Sequence, residues 1–395
     1  MLSTDEARAK LLKSARPVTG TEAIPLDAAL GRVLAEPLIA QVTVPPLDNS
    51  AMDGYALRLA DWAEDKWLHV AQRIPAGQIG HPLTLGTAAR IFTGAPVPEG
   101  ADTVVMQEDC ETRDDRVRIV KPPKLGAHIR RAGEDIAQGQ TVLHAGERLN
   151  AARLGVAASV GATALTVHRK LKVAIFFTGD EIVLPGQPLK AGQIYNSNRA
   201  SLLALLQGLG CEVQDLGIVA DDFDATVNAL EQASRQADVV LTSGGVSVGE
   251  ADHVKAALEQ LGRIEMWKVA MKPGKPLVYG QIGTTDFLGL PGNPVSAFVV
   301  FCLFVRPFLL ARMGAAQTEA LSFTVPAGFD WKKPGERREF LRARIDNGRA
   351  VLYPNQSSGV LTSLAWADGL VDIEIGHTVQ AGDAVRFWPL SELLK

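Results

Sequence analysis

Cysteine is scarce in this chain: Cys110, Cys211 and Cys302 are the only three among 395 residues. They are far apart, odd in number and without C-x-x-C spacing, which argues against a disulfide framework or a structural zinc site and fits a reducing, cytoplasmic setting. A basic surplus is missing too. The formal net charge of −4 argues against a general nucleic-acid binder, which carries clustered Lys and Arg. The expected partner is a small molecule or another protein. The greasiest run, VSAFVVFCLFVRPFLLARM, is interrupted by Arg306 and Pro307 and reads as a buried helix, so no membrane contact is expected. The N-terminus lacks the apolar core and cleavage site of a signal peptide. It carries Ser3 and Glu6 at capping-box spacing, then Ala7, Leu11 and Leu12 on one face, the pattern of an ordinary surface helix. No repeat or low-complexity segment is present.

At roughly 150 residues per domain the length predicts two to four domains. The most legible is 169–316, where short apolar strands alternate with helical segments. That alternation predicts a doubly wound α/β domain, a parallel sheet with helices on both faces. Asn196, Ser197 or Asn198 marks one helix start, and Asn293 before Pro294 marks another. Residues 46–133 carry short β-like runs between Pro/Gly turns and read as an inserted all-β module. Residues 317–395 repeat the style, and a C-terminal β-barrel is expected. Residues 1–45 and 134–168, rich in Ala, Leu and Gly, are expected to pair into one elongated N-terminal domain. The fold class is multidomain α/β.

In an open parallel sheet, ligands sit beyond the carboxyl ends of the strands. Three conspicuous loops fall there: Thr178-Gly179-Asp180-Glu181, Thr242-Ser243-Gly244-Gly245 and Pro291-Gly292-Asn293-Pro294. Glycines let backbone N–H groups approach an anion, and a following helix N-terminus adds partial positive charge, so the set describes a phosphate cradle. The spacing is neither a Walker loop nor G-x-G-x-x-G. Asp180, Glu181, Asp221, Asp222, Glu250 and Asp252 lie near strand ends and suit a hard cation such as Mg²⁺ bridging to phosphate oxygens. Asp222, just ahead of a helix, reads instead as an N-cap. Lys268, Lys272 and Lys275, in WKVAMKPGKP, form a lysine cluster on a stiff loop, suited to an oxyanion. Asp53, in DNSAMDGYAL, reads locally as a turn residue.

Seven motifs in order, NSAMDGYA, IFTGAPVPEGAD, RRAGEDI, FFTGDEI, TSGGVSVGEADH, KVAMKPGKP and LPGNPVSAF, resemble the molybdopterin molybdenumtransferase family of the MoeA type, related to the E domain of gephyrin. The likeness covers essentially the whole chain. It implies a four-domain homodimer whose active site lies in a cleft between subunits, with the α/β (MogA/MoaB-like) domain of one facing the inserted β module of the other. It implies a Mg²⁺-dependent transferase that uses adenylylated molybdopterin and molybdate and releases AMP. By motif, Asp53, Asp135, Glu181, Asp221 and Asp252 match catalytic positions, the last three also as metal ligands. Thr93, Thr178, Gly179, Asp180, Ser243, Gly244, Gly245, Pro291 and Pro294 match the substrate site. Lys268, Lys272, Lys275, Arg342 and Ser358 are the candidates for molybdate. Where some relatives carry Gly-Ser-His, this chain has Ser357-Ser358-Gly359.

The chemistry agrees with the residues. A phosphoanhydride is broken largely by positioning and charge neutralisation, and no nucleophile elbow stands out. Molybdenum would be captured by soft dithiolene sulfurs on the substrate, so poverty in cysteine is no objection. The alternatives are a MogA-like adenylyltransferase, which would need only about residues 169–316, and a scaffold of the gephyrin type. A separate MogA-like protein is expected to supply the substrate, and acceptor molybdoenzymes to take the product.

Overall fold

The computed structural model describes residues 1–245 and 253–395. Its centre is a six-stranded sheet of β1 (Lys172–Thr178), β2 (Glu212–Val219), β3 (Val239–Ser243), β4 (Arg263–Lys268), β5 (Pro276–Ile282) and β6 (Thr285–Leu290), in the spatial order β2-β1-β3-β6-β5-β4. The first four of that order are mutually parallel, β5 runs back antiparallel to β6, and β4 pairs antiparallel with β5. Side chains alternate across the sheet, so one apolar run feeds two cores. Val173, Ile175 and Phe177 of β1 join Leu241 and Leu288 on one face, against Leu202, Leu206 and Val299 of two helices. Ala174 and Phe176 join Val240 and Phe287 on the other, against Leu230 and Leu258. This is the doubly wound domain expected, with one difference. The lysine-rich segment read as a stiff loop is the turn of the edge hairpin: Lys268 ends β4, and β5 begins one residue after Lys275.

The helix Pro294–Arg312 is the one helix among the described residues long and apolar enough to cross a membrane, and 83% of its apolar window is buried inside the fold. It is a core helix. Its ladder widens to a π segment over Phe301–Val305, just ahead of Pro307, which has no N–H to continue the regular pattern.

The flanking modules attach to this centre. The helix Thr4–Ser14 has the expected capping box, with Ser3 and Glu6 exchanging hydrogen bonds. It packs Ala7 and Leu11 into the central core and not onto 134–168, because those two apolar side chains form the stripe that needs covering. Residues 21–50 and 129–168 form a ladder of short antiparallel pairs: Thr21–Pro25 with Ala164–His168, Leu38–Ile39 with Thr141–Leu143, and Asn49–Ser50 with Ile129–Arg130. Between them, residues 54–119 make a separate six-stranded sheet. At the C-terminus Arg338–Asp346, Arg349–Leu352, Gly369–Ile373, Ala384–Pro389 and Phe323–Pro326 form a sheet that a bridge from Ala327 to Ala350 closes into a barrel. Met271–Lys272, from the turn of the central hairpin, adds to this barrel by pairing with Arg338–Glu339.

Candidate active site

Beyond the carboxyl ends of β1, β3 and β6 lies a cleft of about 1100 Å³. Its walls follow from the local sequence. β3 ends at Ser243, and Gly244 and Gly245 then take φ of +100° and +63°, a region L side chains rarely adopt. A Cβ on Gly244 would fall 2.4 Å from the Thr178 carbonyl oxygen, and one on Gly245 would fall 2.8 Å from Thr178 Oγ1. The paired glycines therefore let the ends of β1 and β3 close on each other. Asn198 stitches the third loop to them: its Nδ2 donates to Ser243 Oγ (2.9 Å) and to the Gly292 carbonyl (2.7 Å), and Ser243 Oγ donates to the Pro291 carbonyl (3.0 Å).

Helix N-termini contribute unequally. Asn196 caps the helix Ser197–Leu209 by accepting from the Arg199 N–H. Asn196 is 4% exposed and Thr178 5%, both line the cleft, and neither Asn196 Nδ2 nor Thr178 Oγ1 has a hydrogen-bond partner among the described residues. A buried polar group without a partner is costly, so these two are donors set for something that enters the cleft. The helix at Pro294 is different. Asn293 makes no side-chain cap bond, and the Val295 N–H is already taken by the Ser358 carbonyl at 3.0 Å. That N-terminus holds the Ser357–Gly359 turn of the C-terminal barrel against the cleft. Asp222 is an N-cap, accepting from the Ala225 N–H.

Charge is distributed along the cleft. Glu181 and Asp221 line it beside β1 and β2, and neither is paired to a cation among the described residues. The Glu181 carboxylate lies back over Gly179, where a Cβ would meet its Oε2 at 2.6 Å. Lys272, Lys275 and Arg337 line the other end, with Ser358. Lys272 is in part neutralised by Glu339 at 3.2 Å. No cluster of three or more His, Cys, Asp or Glu that could hold a metal occurs among the described residues. Two free carboxylates nevertheless match the way Mg²⁺ is held when substrate phosphates and water complete its octahedron, so the donor set fits that ion.

Of the residues expected at the site, Thr178, Gly179, Glu181, Asp221, Ser243, Gly244, Gly245, Lys272, Lys275, Pro291, Pro294 and Ser358 share this cleft. Asp180 is exposed outside it, and Lys268 is exposed at the end of β4, where its carbonyl accepts from the Leu2 N–H. Arg342 is a correction. It is 1% exposed, lines no part of the cleft, and donates to Ser363 Oγ, the Phe340 carbonyl and the Ser357 carbonyl. Burial without a carboxylate beside it draws its pKa down to about 10. It sits beneath the Ser357–Gly359 turn, aided by Gln356, whose side chain bonds both the N–H and the carbonyl of Arg342.

Asp53, Thr93 and Asp135 do not line this chain's cleft. Asp53 is more than a turn residue: its Oδ1 accepts from the Thr93 N–H (2.8 Å) and Thr93 Oγ1 (2.7 Å), which hold its carboxyl below the usual range. Asp135 is exposed on the ladder. Glu250 and Asp252 lie outside the described residues. Sequence reading missed Asn198 as a tie, Tyr195, Arg337 and Gln356. Only Asn198 carried a signal, being one of two asparagines flanking Ser197 when a single cap was needed.

Comparison with known proteins matches three family descriptions in order: MoeA N-terminal region (domain I and II) over residues 2–161, probable molybdopterin binding domain over 174–311, and MoeA C-terminal region (domain IV) over 324–390. The chain is 43% identical to a molybdopterin molybdenumtransferase of Haemophilus influenzae, covering 100% of both chains. It is 39% identical to molybdopterin molybdenumtransferase 2 of Mycobacterium tuberculosis over 97% of each. A crystal structure of a molybdopterin biosynthesis MoeA protein from Pyrococcus horikoshii superposes with TM-score 0.86 at 29% identity, covering 98% of this chain and 100% of that one. Matched from end to end, with cleft loops drawn from the matched regions, the chain belongs to the molybdopterin molybdenumtransferase (MoeA) family.

Proposed function

We propose that this protein is a transferase that inserts molybdenum from molybdate into adenylylated molybdopterin, releasing AMP and forming molybdenum cofactor. The observation that carries the reading is one cleft with two free carboxylates at one end, lysines at the other, and a glycine wall between them. The backbone at Gly245, with Thr178 Oγ1 and Asn196 Nδ2, binds phosphate oxygens, while the Gly244 N–H is held by the Leu290 carbonyl at 3.2 Å. Glu181 and Asp221 would hold Mg²⁺, which when bound neutralises the charge that develops as the phosphoanhydride is cleaved. Lys272, Lys275 and the Ser358 hydroxyl hold the tetrahedral oxyanion beside the substrate's dithiolene. Arg342 acts at one remove, by fixing the turn that carries Ser358.

Asp53, Thr93 and Asp135 line no part of this chain's cleft. A homodimer in which the β module of a second copy closes the cleft accounts for that. The substrate then comes from a separate cytoplasmic MogA-like adenylyltransferase, and the product goes to acceptor molybdoenzymes. The deciding experiment is AMP release from adenylylated molybdopterin with Mg²⁺, with and without molybdate, followed by reconstitution of an apo-molybdoenzyme. Molybdate-dependent release that yields active cofactor is expected. Binding without release would leave the scaffold reading, and AMP transfer onto molybdopterin from ATP would leave the adenylyltransferase reading.

A further inference from the structure

Asp53 and Thr93 are brought together by the inserted sheet, and one side chain ties the place where they meet. Three neighbouring strands, Thr103–Met106, Gly54–Leu57 and Thr87–Ile91, pair antiparallel, so the start of the middle one and the ends of the other two fall at one edge. Asp53 precedes the middle strand, Gln107 follows one neighbour, and Thr93 stands two residues beyond the other. At that edge the Gln107 N–H donates to the Asp53 carbonyl at 3.0 Å, while the Thr93 N–H and hydroxyl donate to Asp53 Oδ1.

Arg90 spans all three strands. It leaves Thr87–Ile91 opposite Tyr55, donates from Nη1 to the Gly54 carbonyl (2.8 Å) and from Nη2 to Gln107 Oε1 (2.6 Å). Its guanidinium lies over the Tyr55 and Phe92 rings, 5.2 and 4.6 Å from their centroids. The groups it touches adjoin the pair in the chain: Gly54 follows Asp53, and Phe92 precedes Thr93. The task suits arginine, whose rigid fork offers two diverging N–H groups and a flat face for the rings, where lysine offers one nitrogen. We infer that Arg90 is a positioning residue: by tying Gly54, Gln107 and Phe92 together it sets the Asp53 carboxylate against Thr93. This rests on the proposed reaction in treating Asp53 as a working group, while the tie itself does not.

A double-mutant cycle on the full-length protein tests it, with Arg90→Met, Arg90→Lys, Asp53→Ala and the Asp53→Ala/Arg90→Met pair. In Arg90→Met, kcat for molybdate-dependent AMP release should fall about tenfold to a hundredfold, the scale of a misplaced reacting group. KM for molybdate should stay within about twofold, because Lys272, Lys275 and Ser358 stand on other modules. In the Asp53→Ala background the same change should lower kcat by less than about twofold, since nothing is left to position. Arg90→Lys keeps the charge and loses the fork, so its kcat should lie within about threefold of Arg90→Met. The Asp53 pKa, followed by carbon NMR, should rise in Arg90→Lys, where only the alignment with Thr93 is lost. The inference is overturned if the Asp53 and Arg90 losses multiply, if Arg90→Lys has native turnover, or if the Asp53 pKa in Arg90→Lys equals the native value. Should native protein release no AMP, the proposed reaction fails, and the Asp53 pKa in Arg90→Lys still decides whether Arg90 holds the pair.

Discussion

At the residue scale the cleft depends on atoms that are not there. Gly244 has a backbone that a side chain would strain and a neighbour, the Thr178 carbonyl, that is already in contact. Gly244→Ala should therefore separate the ends of β1 and β3 and destabilise by at least about 1–2 kcal/mol, the cost of the left-handed backbone alone. A Tm equal to that of native protein would contradict the packing described. Asp53 offers a titration instead. Its native carboxyl is held low, first by the Thr93 N–H and then by Thr93 Oγ1. The ionised form is thus favoured by folding, so this contribution is present above the ordinary carboxylate pKa and lost as pH falls through the depressed native value. Thr93→Val removes the hydroxyl and keeps the N–H, so the Asp53 pKa, followed by carbon NMR, should rise part of the way and remain below the ordinary value.

At the element scale, much was legible because short apolar runs alternate with well-capped helices. β1, β3 and β6 are buried through nearly their whole length, and continuous Val, Ile, Leu and Phe announce that. β4 and β5 were not legible, because Lys268, Pro273 and Lys275 carry the signals of an exposed turn and β4 breaks its apolar run with Arg263, Glu265 and Lys268. Arg342 failed differently: a strand arginine reads the same whether it faces a ligand or holds a turn from below, and only tertiary contacts tell. Arg342→Met should leave the Ser357 carbonyl without its donor, at about 1–3 kcal/mol. A lower Tm with a raised KM for molybdate is expected; unchanged values for both would show that other contacts hold the turn.

At the scale of the whole molecule, the proposed dimer predicts complementation. Asp53→Ala and Lys275→Ala proteins should each lose most turnover, Lys275→Ala with its Tm kept because Lys275 is exposed, and Asp53→Ala with a somewhat lower Tm because the two Thr93 bonds are lost. Mixed after dissociation and reassembly, half the dimers carry one intact cleft, so about a quarter of native AMP release should return. No recovery, with heterodimers shown by mass spectrometry, would place Asp53 in the working cleft of its own chain and not in its partner's.

The chain looks like beads on a string, yet the Met271–Lys272 strand belongs to two beads at once. It leaves the turn of the central hairpin to lie along Arg338–Glu339, while Glu339 holds Lys272 and Arg338 reaches Asp5 of the first helix at 3.1 Å. Cutting the gene at residue 316 would not liberate a miniature α/β domain of the MogA kind. It would leave a frayed sheet edge, an N-terminal helix missing one of its partners, and a lysine turn with nothing to brace it.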